Sequence, residues 1–309
     1  MLSSFLTVAE QVVILFVLIG VGFVCGKTNL VKENAVKGMT NLVLYFATPC
    51  VIITSFQKCE FSSDKVYGLL LMVVISALIH IVSIVIASLC FRQKDIAQRA
   101  VLRVATIFSN CGFMSLPLQK AILGNDGVFY GAIYVAMFNI FVWTYGLVTM
   151  SGNKKDLSLQ KLVANPGVIG VVVGILLWMF NIHMPTVIYA PVDYLGSLNT
   201  PVPMLIIGCQ LASANLKVAF KDKFSYLSMG LRLIAIPVLT LAVLVLCGVD
   251  GSLLVATVIA TSAPSAATTT MFATKYDRDT SLSVSLVSVT ALISIISMPV
   301  IVALAQMFA

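Results

Sequence analysis

The sequence predicts an all-α polytopic membrane protein of ten transmembrane helices in two inverted five-helix repeats, with helices four and nine broken and crossed. Three observations carry that reading. The first is composition: 60% of the 309 residues are hydrophobic, only 10% are charged, and the mean hydropathy is +1.05. A soluble domain carries roughly 25% charge, so no polar surface can be built from this chain. The second is a series of unalternated apolar runs of about 20 residues, which fit membrane helices and not the roughly 10-residue alternating strands of a barrel. The third is a pair of interruptions, Ser109-Asn110-Cys111-Gly112-Phe113-Met114-Ser115-Leu116-Pro117 and Thr261-Ser262-Ala263-Pro264-Ser265-Ala266-Ala267-Thr268-Thr269.

The runs place spans at approximately 5–26, 36–57, 66–91, 100–121, 128–150, 162–181, 187–212, 224–248, 251–273 and 281–306. The first run, Phe5 to Cys25, has no basic residue before it, so it is expected to be a retained span and not a cleaved signal. Fifteen of the 19 basic residues fall in alternate loops: Lys27, Lys32, Lys37; Arg92, Lys94, Arg99, Arg103; Lys154, Lys155, Lys161; Lys217, Lys221, Lys223; Lys275 and Arg278. The opposite loops hold only Lys58, Lys65 and Lys120. The positive-inside rule puts the rich set in the cytoplasm and both termini outside, in a multi-pass protein of the cell (inner) membrane surrounded by lipid. The net charge of +7 thus sets topology and does not point to nucleic acid.

The halves echo each other. Thr48-Pro49 recurs as Thr200-Pro201, an offset of 152, and Val104-Ala105-Thr106-Ile107 recurs as Val255-Ala256-Thr257-Val258, an offset of 151. The domain organisation that follows is a first repeat at 1–150, a cytoplasmic connector at 151–161, and a second repeat at 162–309. Five spans per half is an odd number, so the second half enters the membrane in the opposite sense. That arrangement builds the two-sided symmetry required by alternating access.

A helix broken at membrane depth survives only where protein or a water-filled cavity satisfies its backbone. Asn110 offers a donor and an acceptor there. Pro117 and Pro264 each remove a backbone donor, and Gly112 allows another backbone to approach. Cys111, Ser262 and Ser265 complete the candidate lining. Half-helix N-termini meeting at the breaks carry partial positive charge, which suits an anionic group. Proline and glycine that merely kink two packed helices are the plainer alternative. Arg232, about 12 Å into the eighth span by helix rise, is open to three roles: pairing with a substrate carboxylate, snorkelling to headgroups, or bracing a backbone carbonyl.

Absences narrow the chemistry. Eleven of the 12 acidic residues sit in loops or at span ends, and Glu10 lies near the outer end of its span. A midplane carboxylate pair for proton exchange is therefore not expected. Sodium held by carbonyls, hydroxyls and amides, or uniport, stays open. Six of the seven cysteines lie in or at the ends of apolar runs with no paired-loop framework, and only Cys59 is plainly in a loop. His80 and His183 form no metal pattern, so no metal or other cofactor is expected. No Gly-rich loop ending Gly-Lys-Ser/Thr occurs, so transport would be secondary. A receptor or sensor would want a signalling domain, and an intramembrane hydrolase would want Ser–Lys, paired Asp or a zinc set. Neither pattern is present, and the chain does not read as an enzyme.

The segment Asn110-Cys111-Gly112-Phe113-Met114-Ser115-Leu116-Pro117-Leu118, followed by Gly124-Asn125-Asp126-Gly127, resembles the auxin efflux carrier family. That family includes plant PIN carriers and bacterial permeases for malate or malonate. Pro264-Ser265-Ala266 with Ala273-Thr274-Lys275-Tyr276, Asn165-Pro166, and Arg232-Leu233 with Pro237 extend the likeness over essentially the whole chain. Ser115 departs from the glycine frequent in bacterial relatives. The central loop, about 11 residues, matches the short bacterial form. The resemblance implies a fold similar to bile-acid/sodium symporters and a homodimer. It also implies a scaffold of spans 1, 2, 6 and 7 carrying a transport domain of spans 3–5 and 8–10, which moves as an elevator. It makes Pro117 and Pro264 the crossing prolines and Asn110 the contact for an organic anion, auxin-like or malate/malonate-like.

Overall fold

The computed structural model describes residues 2–153, 155 and 164–309. The connector expected at 151–161 lies mostly outside the described residues, as do Lys154, Lys161 and the start of the expected sixth span. Among the described residues everything regular is helical, apart from one isolated antiparallel bridge between Ser109 and Ser265.

The helices, in order, are α1 (Leu2–Lys27), α2 (Glu33–Lys58), α3 (Ser63–Cys90), α4 (Ile96–Ile107), α5 (111–123), α6 (125–151), α7 (Pro166–Met179), α8 (Thr186–Ser197), α9 (Pro201–Ser213), α10 (Lys223–Leu246), α11 (Gly251–Ser262), α12 (Thr268–Lys275) and α13 (Thr280–Gln306). Among the described residues, seven continuous helical segments are long and apolar enough to cross a membrane. The chain is therefore an all-α, multi-spanning membrane protein. α7 and α11 are apolar but short, at 14 and 12 residues. At 1.5 Å per residue neither alone reaches the roughly 30 Å of a hydrocarbon core.

Start signals are legible. Ser62 caps α3 through Lys65 N at 3.2 Å, and Asp95 caps α4 through Ala97 N and Gln98 N. Asn165 accepts from Gly167 N and Val168 N at the start of α7, with Pro166 in the first helical position. The Gly124-Asn125-Asp126-Gly127 stretch was expected to be a loop. Instead the helical pattern runs through it, interrupted at Gly124, whose φ of 64° and ψ of −137° only glycine adopts without strain. One residue thus divides a 41-residue helical segment into α5 and α6.

Four helices contain a π turn, at Val43–Ala47, Cys111–Ser115, Val142–Gly146 and Leu231–Ala235. Three of them end two residues before a proline: Pro49, Pro117 and Pro237. Proline has no N–H, and its ring clashes with the carbonyl four residues back, so the helix widens there instead of closing its normal bond.

Packing joins distant parts of the chain. α1 runs along α9, and the second half of α2 packs against α7 and α8. Thr48 Oγ1 donates to Asn199 Oδ1 at 2.8 Å across the same region, which joins the two Thr-Pro corners. The remaining helices wrap the broken pair, α4–α5 and α11–α12.

Candidate functional site

The two breaks meet. Asn110 N donates to Pro264 O at 2.7 Å, and Ala266 N donates to Phe108 O at 2.9 Å. These bonds flank the Ser109–Ser265 bridge, so each break supplies the backbone partners that the other lost. The expected crossing of residues 110–117 with 261–266 is therefore present at the level of the backbone.

Each break leaves one helix C-terminus and one helix N-terminus close together. The C-terminal carbonyls of α4 are all occupied. Ala105 O accepts from Ser265 Oγ at 2.8 Å, and Thr106 O and Ile107 O accept from Arg232 Nη1 at 3.2 and 3.0 Å. Arg232 Nη2 donates to Thr261 O at the end of α11. One guanidinium thus ties the C-termini of both broken helices. Arg232 is 1% exposed and has no carboxylate partner among the described residues. It sits in the π turn that Pro237 produces in α10. One turn earlier, Ser228 Oγ lies 2.7 Å from Thr106 Oγ1, fastening α10 to α4.

The N-termini are treated differently. Asn110 is the N-cap of α5, yet its side chain makes no capping bond, and its amide has no hydrogen-bond partner among the described residues although only 8% of the residue is exposed. Ala267 is the N-cap of α12 and has no side chain able to cap. In the first turn of α12 the hydroxyls of Thr268 and Thr269 are buried with no partner among the described residues. Two half-helix N-termini therefore lie at the crossing without side-chain caps, with an amide at one and two buried hydroxyls at the other.

Residues 7–302 match the family described as membrane transport protein. The chain belongs to that family. Among its relatives, an uncharacterized transporter of Methanothermobacter thermautotrophicus is 25% identical over 301 residues, covering 96% of this chain and 97% of the relative. An uncharacterized transporter of Methanocaldococcus jannaschii is 26% identical over 298 residues, covering 93% and 95%. The chain is a multi-pass membrane transport protein, not an enzyme.

Within this transport protein, the sequence-predicted residues fall into distinct places. Asn110, Cys111, Pro264, Ser265 and Arg232 come together at the crossing. Cys111 is a buried free thiol at the first position of α5. Pro117 follows the π turn of α5 and is buried. Ser262 Oγ is bonded back to Val258 O at 2.7 Å within its own helix. Gly112 is not a point of close backbone approach: a Cβ there would meet nothing within 4 Å, so the residue borders open space.

Sequence reasoning missed several supports. Thr290 Oγ1 accepts from Ser265 N at 3.2 Å, and Gln119 Nε2 donates to Ala256 O at 2.8 Å. Serine and threonine are too common in membrane helices for Thr290 to stand out. Gln119 carried a signal, being an amide within an apolar run two residues past Pro117. Cys59, read as a loop thiol, is 8% exposed with its Sγ 3.5 Å from Asp126 Oδ1. Burial, reinforced by the Asp126 carboxylate, pushes that thiol up to about 12.

Proposed function

We propose that this chain is a secondary transporter of small organic anions, auxin-like or malate/malonate-like carboxylates, working by elevator-type alternating access. The observation that carries the reading is the pair of uncapped half-helix N-termini beside the unpartnered amide of Asn110. Helix N-termini favour negative charge and present backbone N–H groups toward it, and an amide N–H adds a directed donor. A carboxylate seated there completes hydrogen bonds that the protein leaves open.

The rest of the reading follows from that site. Taking α4–α5, α8–α9 and α11–α12 as one span each, and α6 as its own span, makes ten spans in two inverted halves. The pairing of α1 with α9 and of α2 with α7 supports the symmetry. Those four spans form the scaffold, and the others carry Asn110, Cys111, Gly112, Pro117, Arg232, Ser262, Pro264 and Ser265 as one moving body. The asymmetry of basic loops supports extracytoplasmic termini in the cell (inner) membrane, and we take the working unit to be a homodimer.

Reconstituted vesicles test the proposal. Uptake of radiolabelled malate or indole-3-acetate should exceed that of empty vesicles and be competed by other carboxylates but not by their amides. Competition by amines alone would contradict it. Replacing sodium by potassium, and varying pH from 5.5 to 8, then separates sodium coupling, proton coupling and uniport.

A further inference from the structure

We infer that Arg232 sets the charge preference of the crossing as a positioning residue, acting from behind the site without touching the solute. The inference rests on the anion reading above and deepens it. A broken helix is not by itself an anion site. Each break ends one helix, with about −0.5 charge on its last carbonyls, and starts another, with about +0.5 on its first N–H groups. Ile107 and Asn110 are three residues apart, at most about 11 Å of chain. At that spacing the two ends largely cancel for a nearby ion. Two such breaks meeting head-on give four half-charges that sum to nothing.

Arg232 removes the cancellation on one side. Its Nη1 covers Thr106 O and Ile107 O of α4, and its Nη2 covers Thr261 O of α11. One full positive charge is thus set against two half-negative ends. No carboxylate among the described residues neutralises it. The two N-termini, at Asn110–Cys111 and Ala267–Thr268, are left with their positive character uncompensated. The residue is 1% exposed, its two terminal nitrogens are committed to backbone carbonyls, and its Nε is buried with no partner among the described residues. Only a planar fork reaches two helix ends at once, and a lysine ammonium at the same place keeps the charge but loses part of that geometry. The π turn before Pro237 delivers the side chain at this position of α10.

The test measures the potential at the crossing directly and needs no knowledge of the transported solute. Cysteine is placed at Gly112, where a side chain meets open space, and separately at Ala267, which is partly exposed. Full-length protein in nanodiscs is treated with an anionic methanethiosulfonate, the ethylsulfonate, and with a cationic one, the ethyltrimethylammonium. Peptide mass spectrometry gives the rate at the introduced position. The anionic-to-cationic ratio should exceed that of a free thiol. It should fall by about tenfold in Arg232→Gln and stay within about threefold in Arg232→Lys.

An unchanged ratio in Arg232→Gln overturns the inference. Equal falls in the Gln and Lys variants also overturn it, because shape and not charge would then be responsible. If Arg232→Gln does not fold, the ratio with Arg232 intact decides, and a value at or below that of the free thiol contradicts the inference. Failure of both reagents at both positions contradicts it as well, since the crossing would then be closed to water. A chain that keeps the ratio yet transports no carboxylate would leave this inference standing and sink the functional proposal instead.

Discussion

Asn110 N donates to Pro264 O at 2.7 Å, joining residues 154 apart in sequence at the point where two broken helices cross. Pro264 cannot donate a backbone bond itself, and the residue preceding it is biased away from helical geometry. Pro264 lies beyond the end of α11 at Ser262, so its carbonyl stands outside the helix ladder and becomes the acceptor that fixes Asn110. The amide side chain of Asn110 is then held at the mouth of α5 by its own backbone, with its polar atoms unspent.

Ser109 and Ser265 face each other between those two backbone bonds, a non-hydrogen-bonded antiparallel pair in which Cα atoms lie about 4.5 Å apart. That separation falls inside the range a disulfide spans. In a Cys111→Ser background, Ser109→Cys/Ser265→Cys should oxidise to a crosslink. After proteolytic cleavage in the central connector, the two halves should migrate together without reductant and separate with it. Halves that separate under both conditions would place the breaks apart.

Orientation is read best with exposed probes. Asn153→Cys should react with an impermeant maleimide only from the cytoplasmic side of intact cells, and Glu60→Cys only from outside. Native Cys59 should lag far behind Glu60→Cys, because its thiol is buried and pushed up to about 12, leaving little thiolate at neutral pH. Reversed accessibility of the two introduced cysteines would overturn the topology. Rapid labelling of Cys59 would contradict its packing against Asp126.

The contact between α1 and α9 depends on missing side chains. A Cβ on Gly22 would lie 2.7 Å from Leu205 Cα, whereas one on Gly20, two residues earlier, would meet nothing within 4 Å. Gly22→Ala should therefore destabilise the protein by about 1–3 kcal/mol through overpacking, while Gly20→Ala stays neutral or slightly stabilising. Thermal unfolding in detergent distinguishes them. Equal midpoints for the two variants would mean that α1 and α9 are not in close contact.

Much of the frame was legible because its signals are chemical and local. Basic loops, capped helix starts at Asp95 and Asn165, and prolines inside apolar runs all stand in the sequence as written. The two breaks were visible for the same reason. What escaped were consequences of three-dimensional pairing. Pro49 read as half of a repeated Thr-Pro pair and Pro117 as part of a break, but the widened turns before Pro49, Pro117 and Pro237, and the way one of them aims Arg232, depend on packing that sequence does not carry. Arg232 stood open to three roles, and only the positions of Thr106, Ile107 and Thr261 reveal it as a brace on backbone carbonyls. Cys59 read simply as a loop residue, yet Asp126, 67 residues away, packs against its thiol. Gly124 shows the opposite error, since the gap left between the spans at 100–121 and 128–150 is helical apart from one positive φ.

The central claim is that the crossing binds an organic anion through Asn110 and the uncapped N-termini, and a thermal-shift screen of purified protein measures it most directly. Ligands that bind only the native state raise its apparent stability. Mono-, di- and aromatic carboxylates should give concentration-dependent stabilisation, while their amides and size-matched amines should not. In Asn110→Ala the dissociation constant for the best carboxylate should rise by a factor equivalent to about 1–3 kcal/mol, the cost of removing one partner of a buried polar contact. Stabilisation confined to amines, or a dissociation constant unchanged in Asn110→Ala, would contradict the account.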